Sequence, residues 1–584
     1  MTIGLEELVK IGLLSPLDRH FALSIVRLGR ESNPMVELAA AVASRAVSRG
    51  HICADLNDLH TNGWLADDDT PVSKMDLPSP KAWSAALRKS PLVAAHPDPR
   101  HPRPLVFDEQ GRLYLYRYAD YQRRLASQIK DRASIAEKPN QELLQAGLAR
   151  LFPGTDANDA QRRAAELAVS RRFSVISGGP GTGKTYTVAK ILALLQEQAL
   201  ALGNAPLRIQ LMAPTGKAAQ RLGESIANSI DTLNVDAKTR DAIPRTASTL
   251  HRGLGRRADS ATRFRHNSEN PLPADVVIVD EASMVDLAMM TKLIEAIPSA
   301  GRLILLGDKD QLASVEAGAI LGDIYAAGLE NCTAELTHSH RYDGTSGIGQ
   351  LARAVIAGDA DRAMHALATA NRVALRELES ISDLGRVLTP VVNATFMHLR
   401  RAAPAEKLSI LSELRILTAH RNGPFGATHC NPIVEQILGN ANHLQLDRDW
   451  YEGRPIIVTA NDYQLDLWNG DVGVIGRAEE NASLAAFFQG RDRNTLRHLS
   501  PARLPDHETV FAMTVHKSQG SEFGRILLLL PDRPSPVLTR ELIYTAITRA
   551  RDHVDICGSE SVLRHAIGRR VRRASGLVDL LRSA

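Results

Sequence analysis

A glycine-rich run at residues 178–185 has the composition and spacing needed to hold a polyphosphate. It follows an apolar, strand-like segment and precedes a helix-like one, and it consists of Gly178, Gly179, Pro180, Gly181, Thr182, Gly183, Lys184 and Thr185. The glycines let backbone N–H groups converge on a β-phosphate, and the following helix N-terminus adds positive potential. Lys184 is expected to reach the β- and γ-oxygens, and Thr185 to hold Mg²⁺. The run therefore predicts an ATP-binding phosphate loop.

A pair of acids follows a second apolar strand. Asp280 and Glu281 come directly after the residues Val-Val-Ile-Val at 276–279. At the carboxyl edge of a sheet, Asp280 is expected to join the Mg²⁺ shell and Glu281 to orient and deprotonate the attacking water. Two acids alone at a strand end are equally compatible with a solvated loop. Together with Lys184 and Thr185 they predict a nucleotide hydrolysis site.

Two glutamines are candidate nucleotide sensors. Gln311 follows a third apolar strand at 303–307, which ends at the same edge, and there it can sense the γ-phosphate. Gln161 precedes the first strand, where its side-chain amide can present one donor and one acceptor to adenine. Neither glutamine is strong evidence without the phosphate loop.

The elements that must position these residues form two α/β units. Short apolar strands at 173–177, 208–212, 276–280 and 303–307 alternate with helical segments, which is typical of a buried parallel sheet. The alternation returns after about residue 410. We predict a first lobe at 146–340 and a second at 341–584. Brief strands bounded by Asn, Gly and Asp turns predict a small, SH3-like β insertion at about 445–510.

Residues 1–145 predict a separate, mainly helical domain. The prolines at 97, 99, 102 and 104 interrupt it, and His96 and His101 between them are expected to be solvated. Alternation from Arg112 to Tyr118 predicts a strand with Tyr114, Tyr116 and Tyr118 on one face. These tyrosines are expected to pack against helices, with base stacking as the alternative.

Composition restricts the class of protein. The 584 residues are enough for roughly three to five domains. Hydrophobic and charged contents of 44% and 23% are ordinary for a soluble protein, and the net charge of +4 permits a polyanionic partner without requiring one. The four cysteines, Cys53, Cys332, Cys430 and Cys557, lack metal-site spacing and are interpreted as core thiols. Without a basic leader or a long apolar run, a cytoplasmic location with no membrane contact is expected.

An ordered series of further motifs resembles a known family. Besides the runs above, the series contains APTGKAAQRL at 213–222, TASTLHRGLG at 246–255, LTHSHRY at 336–342, RNGPFGATHCN at 421–431, NDYQLDLWNGDVGV at 461–474, AMTVHKSQGSEF at 512–523 and YTAITRAR at 544–551. From about residue 150 to 580 the chain resembles superfamily-one helicases, most closely the RecD family, alpha subunits of the RecBCD enzyme, exodeoxyribonuclease V. The resemblance implies that both α/β units are RecA-like P-loop lobes.

Several motif residues are candidates for contact with DNA. Ala219, Leu222 and Ile226 form an apolar helical stripe, so that Thr215 and Lys217 are expected at an exposed helix start, where a DNA phosphate can bind. Thr249 and His251 are expected at a strand-to-helix turn; a core histidine is the alternative for His251. The remaining candidates are Asn461, Thr514, His516 and Lys517.

The resemblance also assigns residues that link the two lobes. Arg341 and Arg549 are expected to reach across the cleft from the second lobe and neutralise γ-phosphate charge during hydrolysis. Glu522 resembles the residue that superfamily-one helicases place near the nucleotide ribose. The basic run from Arg564 to Arg573 is expected either to contact DNA or RecB, or to form a solvated face.

Family membership implies a 5′–3′ DNA helicase that acts with RecB and RecC on double-stranded ends and 5′-tailed single strands. Residues 1–145 are then expected to dock onto RecC, and the nuclease to belong to the partner. A free-standing RecD-like helicase is the main alternative, although such proteins usually have a longer amino-terminal region. An ATPase-silent structural subunit is the other, although Lys184, Asp280, Glu281, Arg341 and Arg549 are all present.

Replacing Lys184 by glutamine tests the phosphate loop directly. Because Gln keeps the length but loses the cation that binds the β- and γ-oxygens, Lys184→Gln is expected to abolish DNA-stimulated ATP turnover while sparing assembly with partner subunits. Phosphate release with single-stranded DNA and gel filtration with the partners measure the two properties. Retained turnover in this variant contradicts the assignment.

Overall fold

The computed structural model describes residues 4–62, 78–154, 159–257, 259–329, 331–342, 346–378, 380–441, 443–446, 449–462, 464–478, 483–490 and 495–583. These residues form an amino-terminal unit, two α/β lobes and a β insertion within the second lobe. No helix of the described ranges is both long and apolar enough to span a bilayer. The four cysteines are buried and unbridged, as expected for core thiols.

The amino-terminal unit combines helices with a small sheet. Its order along the chain is α1 (Leu5–Lys10), α2 (Pro16–Leu28), α3 (Pro34–Ser48), β1 (Ala54–Asp55), α4 (Leu56–Asn62), α5 (Pro80–Lys89), β2 (Val93–Ala94), β3 (Leu105–Phe107), β4 (Arg112–Leu115) and α6 (Tyr116–Ala133). The strands pair in the order β1-β4-β3-β2. The proline-rich segment between β2 and β3 is irregular, because proline cannot continue a helix or a paired central strand.

The predicted strand through three tyrosines was wrong beyond residue 115. Strand β4 ends at Leu115, and Tyr116 and Tyr118 lie in the first turn of α6. Tyr114 is buried and donates its hydroxyl to Asp108 Oδ2 at 3.1 Å, while Tyr116 and Tyr118 pack half-buried on the same core. A four-residue strand contains too few alternating residues for the sequence pattern alone to show where the strand ends and the helix begins. The expectation that the tyrosines pack rather than stack on bases is met.

The first lobe is built on a parallel sheet. Its elements are α7 (Gln141–Leu151), α8 (Ala160–Ser170), β5 (Phe173–Gly178), α9 (Lys184–Ala201), β6 (Ile209–Ala213), α10 (Gly216–Ile230), α11 (Ala237–Asp241), β7 (Ser248–Thr249), α12 (Leu250–Gly253), β8 (Arg256–Arg257), β9 (Ser260–Phe264), β10 (Val276–Val279), α13 (Leu287–Ala296), β11 (Arg302–Gly307), α14 (Ile320–Ala326) and β12 (Thr333–Leu336). The strand order is β12-β5-β11-β10-β6-β7, with every pair parallel. Helices cover both faces, which explains why β5, β10 and β11 are almost uniformly apolar.

The second lobe repeats this architecture. It contains α15 (Gly347–Ala357), α16 (Ala360–Thr369), β13 (Val373–Arg376), α17 (Leu384–Phe396), α18 (Pro404–Glu413), β14 (Leu414–Thr418), α19 (Ala427–Asn440), β15 (Pro455–Val458), β16 (Val472–Arg477), β17 (Leu484–Gln489), β18 (Leu496–Leu499), β19 (His507–Thr509), β20 (Ala512–Thr514), β21 (Phe523–Leu529), α20 (Arg540–Ile547), β22 (Ala550–Cys557), α21 (Glu560–Gly568) and α22 (Leu577–Arg582). Strands β13-β22-β21-β14-β20 form a parallel sheet. The two-lobe α/β prediction is confirmed.

The insertion is an antiparallel sheet with the order β18-β17-β16-β15-β19. The insertion ends with β19, whereas the next strand, β20, pairs with β14 of the parallel sheet. Parts of the predicted range 445–510 lie outside the described residues. The SH3-like assignment stays a prediction.

One buried arginine fastens the amino-terminal unit to the first lobe. Helix α6 packs along α13, and Arg132, near the end of α6, is 4% exposed. Its guanidinium donates to backbone carbonyls at the end of α13, namely those of Ile294, Ile297, Pro298, Ser299 and Gly301, at 2.8–3.4 Å. A cation there satisfies orphan carbonyls and opposes the negative end of the helix dipole.

Removing this guanidinium is expected to be costly. Arg132→Ala leaves several buried carbonyls without donors and should lower the free energy of unfolding by about 3 kcal/mol or more. Urea titration of wild type, Arg132→Ala and the exposed Arg123→Ala on the same helix measures the difference, with the control expected within about 0.5 kcal/mol of wild type. Equal losses for the two variants contradict the proposed role of Arg132.

Candidate nucleotide site and nucleic-acid interface

The phosphate loop connects β5 to α9 in the conformation that its glycines allow. Gly181 and Gly183 have φ of +78° and +81°, a region that disfavours residues with a side chain. Lys184 folds back and donates to the carbonyls of Gly178 and Gly179, the latter at 3.1 Å. Its ammonium therefore lies over the concave face of the loop, next to the first turn of α9, where Thr185 is half-buried.

The acid pair lies at the carboxyl edge of the same sheet. Burial, then the Glu281 carboxylate, raises the pKa of Asp280 to about 6, although Lys184 acts to lower it. The backbone of Glu281 is left-handed, with φ +52°, and its N–H donates to Asp280 Oδ1 at 2.9 Å. Strain of this kind in a non-glycine residue is commonly associated with functional sites.

A relay of buried polar groups links the two lobes at Gln311. Asp308, at the end of β11, accepts from Gln311 Nε2 at 3.1 Å and from the Tyr544 hydroxyl of α20 at 2.9 Å. Gln311 Oε1 in turn accepts from Arg549 Nη2 at 2.7 Å. Burial raises the pKa of Asp308, and Lys184 opposes that rise. The relay brings Gln311 and Arg549 together as predicted, and it adds Asp308 and Tyr544.

Glu522 lies between two arginines. Arg341 and Arg221 each donate an Nη2 to Glu522 Oε1 at 2.6 Å, and Arg221 Nη1 also donates to the Gly520 carbonyl at 2.6 Å. Burial alone would raise the pKa of Glu522, but Arg221 and Arg341 outweigh it and lower the pKa to about 2. Arg221 comes from α10 of the first lobe. The trio is therefore an ionic contact between lobes.

The segment 339–341 covers the phosphate loop. Ser339 Oγ donates to the Pro180 carbonyl at 3.2 Å, and the His340 N–H donates to the Gly181 carbonyl at 2.8 Å. A Cβ on Gly181 would lie 2.4 Å from Arg341 Cβ, so only glycine fits. Gln161 Nε2 donates to the Thr182 carbonyl at 3.1 Å and lies 3.4 Å from His340 Nε2. Gln161 and Arg341 thus both border the loop.

The geometry fits a nucleotide with its magnesium. Among the described residues no group of three or more His, Cys, Asp or Glu side chains is arranged to hold a metal ion. Mg²⁺, however, is usually bound through one or two protein oxygens together with substrate phosphates and water. The half-buried Asp280 carboxylate, with its raised pKa, is a position where a divalent cation offsets the cost of burying negative charge.

Thr215 and Lys217, the first candidate contacts for DNA, are less exposed to solvent than expected. Thr215 caps α10 by accepting the Ala218 N–H at 3.2 Å, and Ala219, Leu222 and Ile226 are buried as predicted. Lys217 is half-buried instead of exposed, and burial and then Arg415 lower its pKa to about 8. Trp468 of the insertion lies against Gly216, where an added Cβ would be 2.8 Å from the Trp468 side chain. The insertion therefore partly covers this helix start.

Thr249 and His251 lie at a strand-to-helix turn, as predicted, whereas Asn461 has a local structural role. Thr249 caps α12, and His251 is exposed with its ring 5.7 Å from that of Phe264, so the core-histidine alternative was wrong. Asn461 lies in the insertion, and its Oδ1 accepts the Asn469 N–H at 2.8 Å. This bond closes the loop between β15 and β16, a local role that the sequence did not indicate.

In the second lobe, Thr514 and Lys517 line a cavity of about 260 Å³ together with Arg421, Asn431 and Glu508. Glu508 accepts from Lys517 Nζ at 3.1 Å and also pairs with Arg421. His516 lies in the same turn but does not line the cavity, and its pKa is lowered by burial and then by Arg573. Two of the three predicted contacts therefore line the cavity.

Within the basic carboxyl-terminal run, Arg564, Arg569 and Arg573 bond to other parts of the protein, whereas Arg570 and Arg572 are exposed; contact of the run with DNA or RecB stays a prediction. Arg573 donates to the carbonyls of Ser314 and Glu316, and Arg569 to that of Ser535. Arg564 pairs with Asp361 and Glu560. Glu560 lies only four residues before Arg564, but the other partners are distant in sequence, so that only tertiary structure assigns them.

Glu522 allows a test of the interlobe ion pairs by pH. Its folded pKa of about 2 lies below the ordinary 4.5, so the pairs stabilise the protein above pH 4.5, and this stabilisation is lost as pH falls toward 2. Glu522→Gln should lower the free energy of unfolding by roughly 1–3 kcal/mol at pH 7, with the deficit shrinking below pH 4.5. Urea titrations at several pH values measure it, with the exposed Glu7→Gln as control. A deficit that is constant with pH contradicts this account.

Three protein-family models match the chain. They describe a RecD amino-terminal domain of the RecBCD enzyme at residues 10–114, an AAA domain at 161–317 and a UvrD-like helicase carboxyl-terminal domain at 509–557. A solved structure of Bacteroides Pif1 bound to single-stranded DNA is similar at 15% identity and a TM-score of 0.38, covering 69% of this chain and 92% of that one.

Curated relatives extend over nearly the whole chain. The RecBCD enzyme subunit RecD of Mycolicibacterium smegmatis is 42% identical, covering 98% of each protein, and that of Haemophilus influenzae is 34% identical, covering 99% of each. The ATP-dependent RecD2 DNA helicase of Deinococcus radiodurans is 32% identical over 81% of this chain and 59% of its own length. On this full-length similarity, the chain belongs to the RecD family of RecBCD enzyme subunits.

Proposed function

We propose that the chain is an ATP-dependent DNA helicase that moves 5′ to 3′ as the RecD subunit of a RecBCD helicase–nuclease, resecting double-strand breaks for recombinational repair. The observation that carries the proposal is the composition of the nucleotide cleft. Lys184, Asp280 and Glu281 come from the first lobe, whereas Arg549 and Tyr544 come from the second and are bonded to Gln311 and Asp308. A site completed by both lobes makes lobe position depend on nucleotide state.

Each residue of the cleft has a distinct role in ATP hydrolysis. Lys184 and the backbone N–H groups of residues 178–183 other than Pro180 hold the phosphates, with Gln161 at the adenine end and Glu522 toward the ribose. Thr185 and Asp280 would hold Mg²⁺, which would neutralise phosphate charge there. Glu281 accepts a proton from the attacking water, and Gln311 senses the γ-phosphate. Arg341 and Arg549 stabilise the charge that develops on the transferred phosphoryl group.

Arg341 and Arg549 already have hydrogen-bond partners before nucleotide binds, and this determines how the ATPase cycle begins. Arg341 is paired with Glu522, and Arg549 with Gln311. A γ-phosphate competes for both guanidinium groups, so binding rearranges contacts that join the lobes. Loss of the phosphate restores the original pairs. Alternation between these two sets of contacts moves one lobe relative to the other.

The DNA strand runs along the seam between the lobes. Thr215, Lys217, Thr249 and His251 contact it from the first lobe, and Asn461, Thr514, His516 and Lys517 from the second. A Cβ added at Gly520 would lie 3.6 Å from Ala218 Cβ on α10, so the two lobes approach closely here, which supports a continuous surface across the seam. Phosphate contacts of this kind hold any sequence.

The units divide the work of the complex. We assign residues 1–145 to docking onto RecC, residues 146–340 and 341–584 to the motor, and residues 445–510 to an SH3-like cover of the strand. The RecD amino-terminal family match at 10–114 supports the first assignment. RecB and RecC complete the heterotrimer, and the nuclease belongs to the partner chain.

Strand displacement on tailed duplexes tests the proposal. The purified chain, alone and with RecC and a RecB subunit whose own phosphate loop is inactivated, is given ATP, Mg²⁺ and duplexes with a 5′ or a 3′ tail. Preferential unwinding of the 5′-tailed duplex is expected, because a 5′–3′ motor needs a 5′ single strand on which to load. Preference for the 3′ tail refutes the polarity. Absence of ATP turnover in every assembly favours a structural subunit, and full activity without partners favours a free-standing helicase.

A further inference from the structure

The end of the chain returns from the second lobe to the amino-terminal unit. After α21, the carboxyl-terminal strap, defined as Arg569–Ser583, first follows the second lobe, where the Val571 N–H donates to Glu541 Oε2 at 3.0 Å. It then pairs with the amino-terminal unit through Ala574, which accepts the Ile52 N–H and donates to His51 Nδ1, both at 2.9 Å. Leu577 and Leu581 finally insert into the core beneath α6.

Between these two attachments, one side chain of the strap holds a loop of the motor. The motor loop, defined as Leu312–Gly318, follows Gln311 directly. Arg573 Nη2 donates to the Ser314 carbonyl at 3.1 Å and Nη1 to the Glu316 carbonyl at 3.4 Å. The two carbonyls flank Val315, whose side chain is 73% exposed. A single guanidinium therefore fixes the backbone on both sides of an outward-facing apolar residue.

Gly50 makes room for this contact. Its φ is +80°, its carbonyl accepts the Gly318 N–H at 3.0 Å, and an added Cβ would lie 1.3 Å from Arg573 Nη1. The guanidinium thus occupies the space that a side chain at residue 50 would fill. His51, beside it, has its pKa lowered to about 4 by burial and then by Arg573, so that it is neutral and able to accept the Ala574 N–H.

The other end of the motor loop is held by the second lobe. The Leu312 N–H donates to Thr545 Oγ1 at 2.9 Å, and the Leu312 carbonyl accepts from Gln519 Nε2 at 3.1 Å. Gln519 lies in the turn that contains His516 and Lys517. Gln311, immediately before the loop, is bonded to Arg549. The loop consequently spans from the nucleotide relay to the joint formed by Gly50 and Arg573.

We propose that Arg573 is a positioning residue that, seated on Gly50, holds the motor loop between the Gln311 relay and the turn that contains Gln519, so that strand binding at that turn accelerates ATP hydrolysis. The proposal rests on the function proposed above. Arg573 touches neither nucleotide nor strand; it acts through the loop carbonyls. A guanidinium suits this task because its planar, forked donors can reach two acceptors at once, whereas an ammonium acts as a point charge.

Two pairs of variants test the contact from both sides. Arg573→Ala removes the clamp, and Arg572→Ala, at the exposed neighbouring arginine, is its control. Gly50→Ala displaces the guanidinium, and Gly12→Ala, at a φ of +73° with open space around it, carries the same backbone penalty without the clash. ATP turnover of the full chain is measured without DNA and with increasing oligo(dT), together with melting temperature.

Arg573→Ala and Gly50→Ala are each expected to lose about five- to tenfold in stimulation by oligo(dT), with turnover in the absence of DNA retained, and both controls should resemble wild type. Arg573→Lys should be intermediate, and it decides the question where Arg573→Ala fails to fold. Stimulation of Arg573→Ala, Arg573→Lys and Gly50→Ala equal to that of the controls overturns the proposal. Wild-type protein without any stimulation by oligo(dT), both alone and assembled with RecC and the inactivated RecB subunit, refutes instead the function on which the proposal rests.

Discussion

The carboxylate of Asp308 must be satisfied by both lobes at once. It is 2% exposed, and an acid in that position needs hydrogen-bond donors or a nearby cation. Gln311 and the Asp310 N–H supply donors from the same lobe, Tyr544 supplies one from the second lobe, and Lys184 supplies positive charge from the phosphate loop. Separating the lobes removes a donor from a buried acid beside the phosphate-binding lysine. Lobe contact and phosphate binding therefore depend on the same few atoms.

The path of the chain places a second constraint on lobe movement. The amino-terminal unit is fixed to the first lobe through α6 and Arg132, and the carboxyl-terminal strap leaves the second lobe to end on that same body. Any displacement between lobes must be taken up where the strap crosses, at residues 569–573. Arg573 lies at the end of this crossing and binds the loop that follows Gln311. The carboxyl-terminal strap, which connects the second lobe to the amino-terminal unit, therefore contacts the motor loop next to the nucleotide relay.

Sequence predicted what depends on local pattern. The phosphate loop, the apolar parallel strands and the acid pair after β10 were all recognisable, because their chemistry requires particular residues within a few positions of one another. The sequence did not indicate Arg221, which meets Glu522 about 300 residues away, or the contact of Trp468 with Gly216. Such partners follow from how separate units pack, and no periodicity records that packing. The strand prediction was wrong at Tyr116 for a different reason. A short strand that leads directly into a helix leaves too few residues to recognise either the two-residue period of a strand or the 3.6-residue period of a helix.

In the proposed cycle, the ionic contacts around Glu522 let the resting arrangement of the lobes form again after hydrolysis. Two arginines without an anion between them would repel each other in a half-buried site, where screening is weak. Glu522 supplies that anion from within the protein, and its low pKa shows how strongly Arg221 and Arg341 favour the charged form. A triphosphate can take Arg341 only by competing with Glu522, and Arg221 keeps the carboxylate compensated while it does. When the phosphate leaves, Arg341 returns to a partner that is already in place, so the resting contacts form again without an uncompensated charge in the cleft.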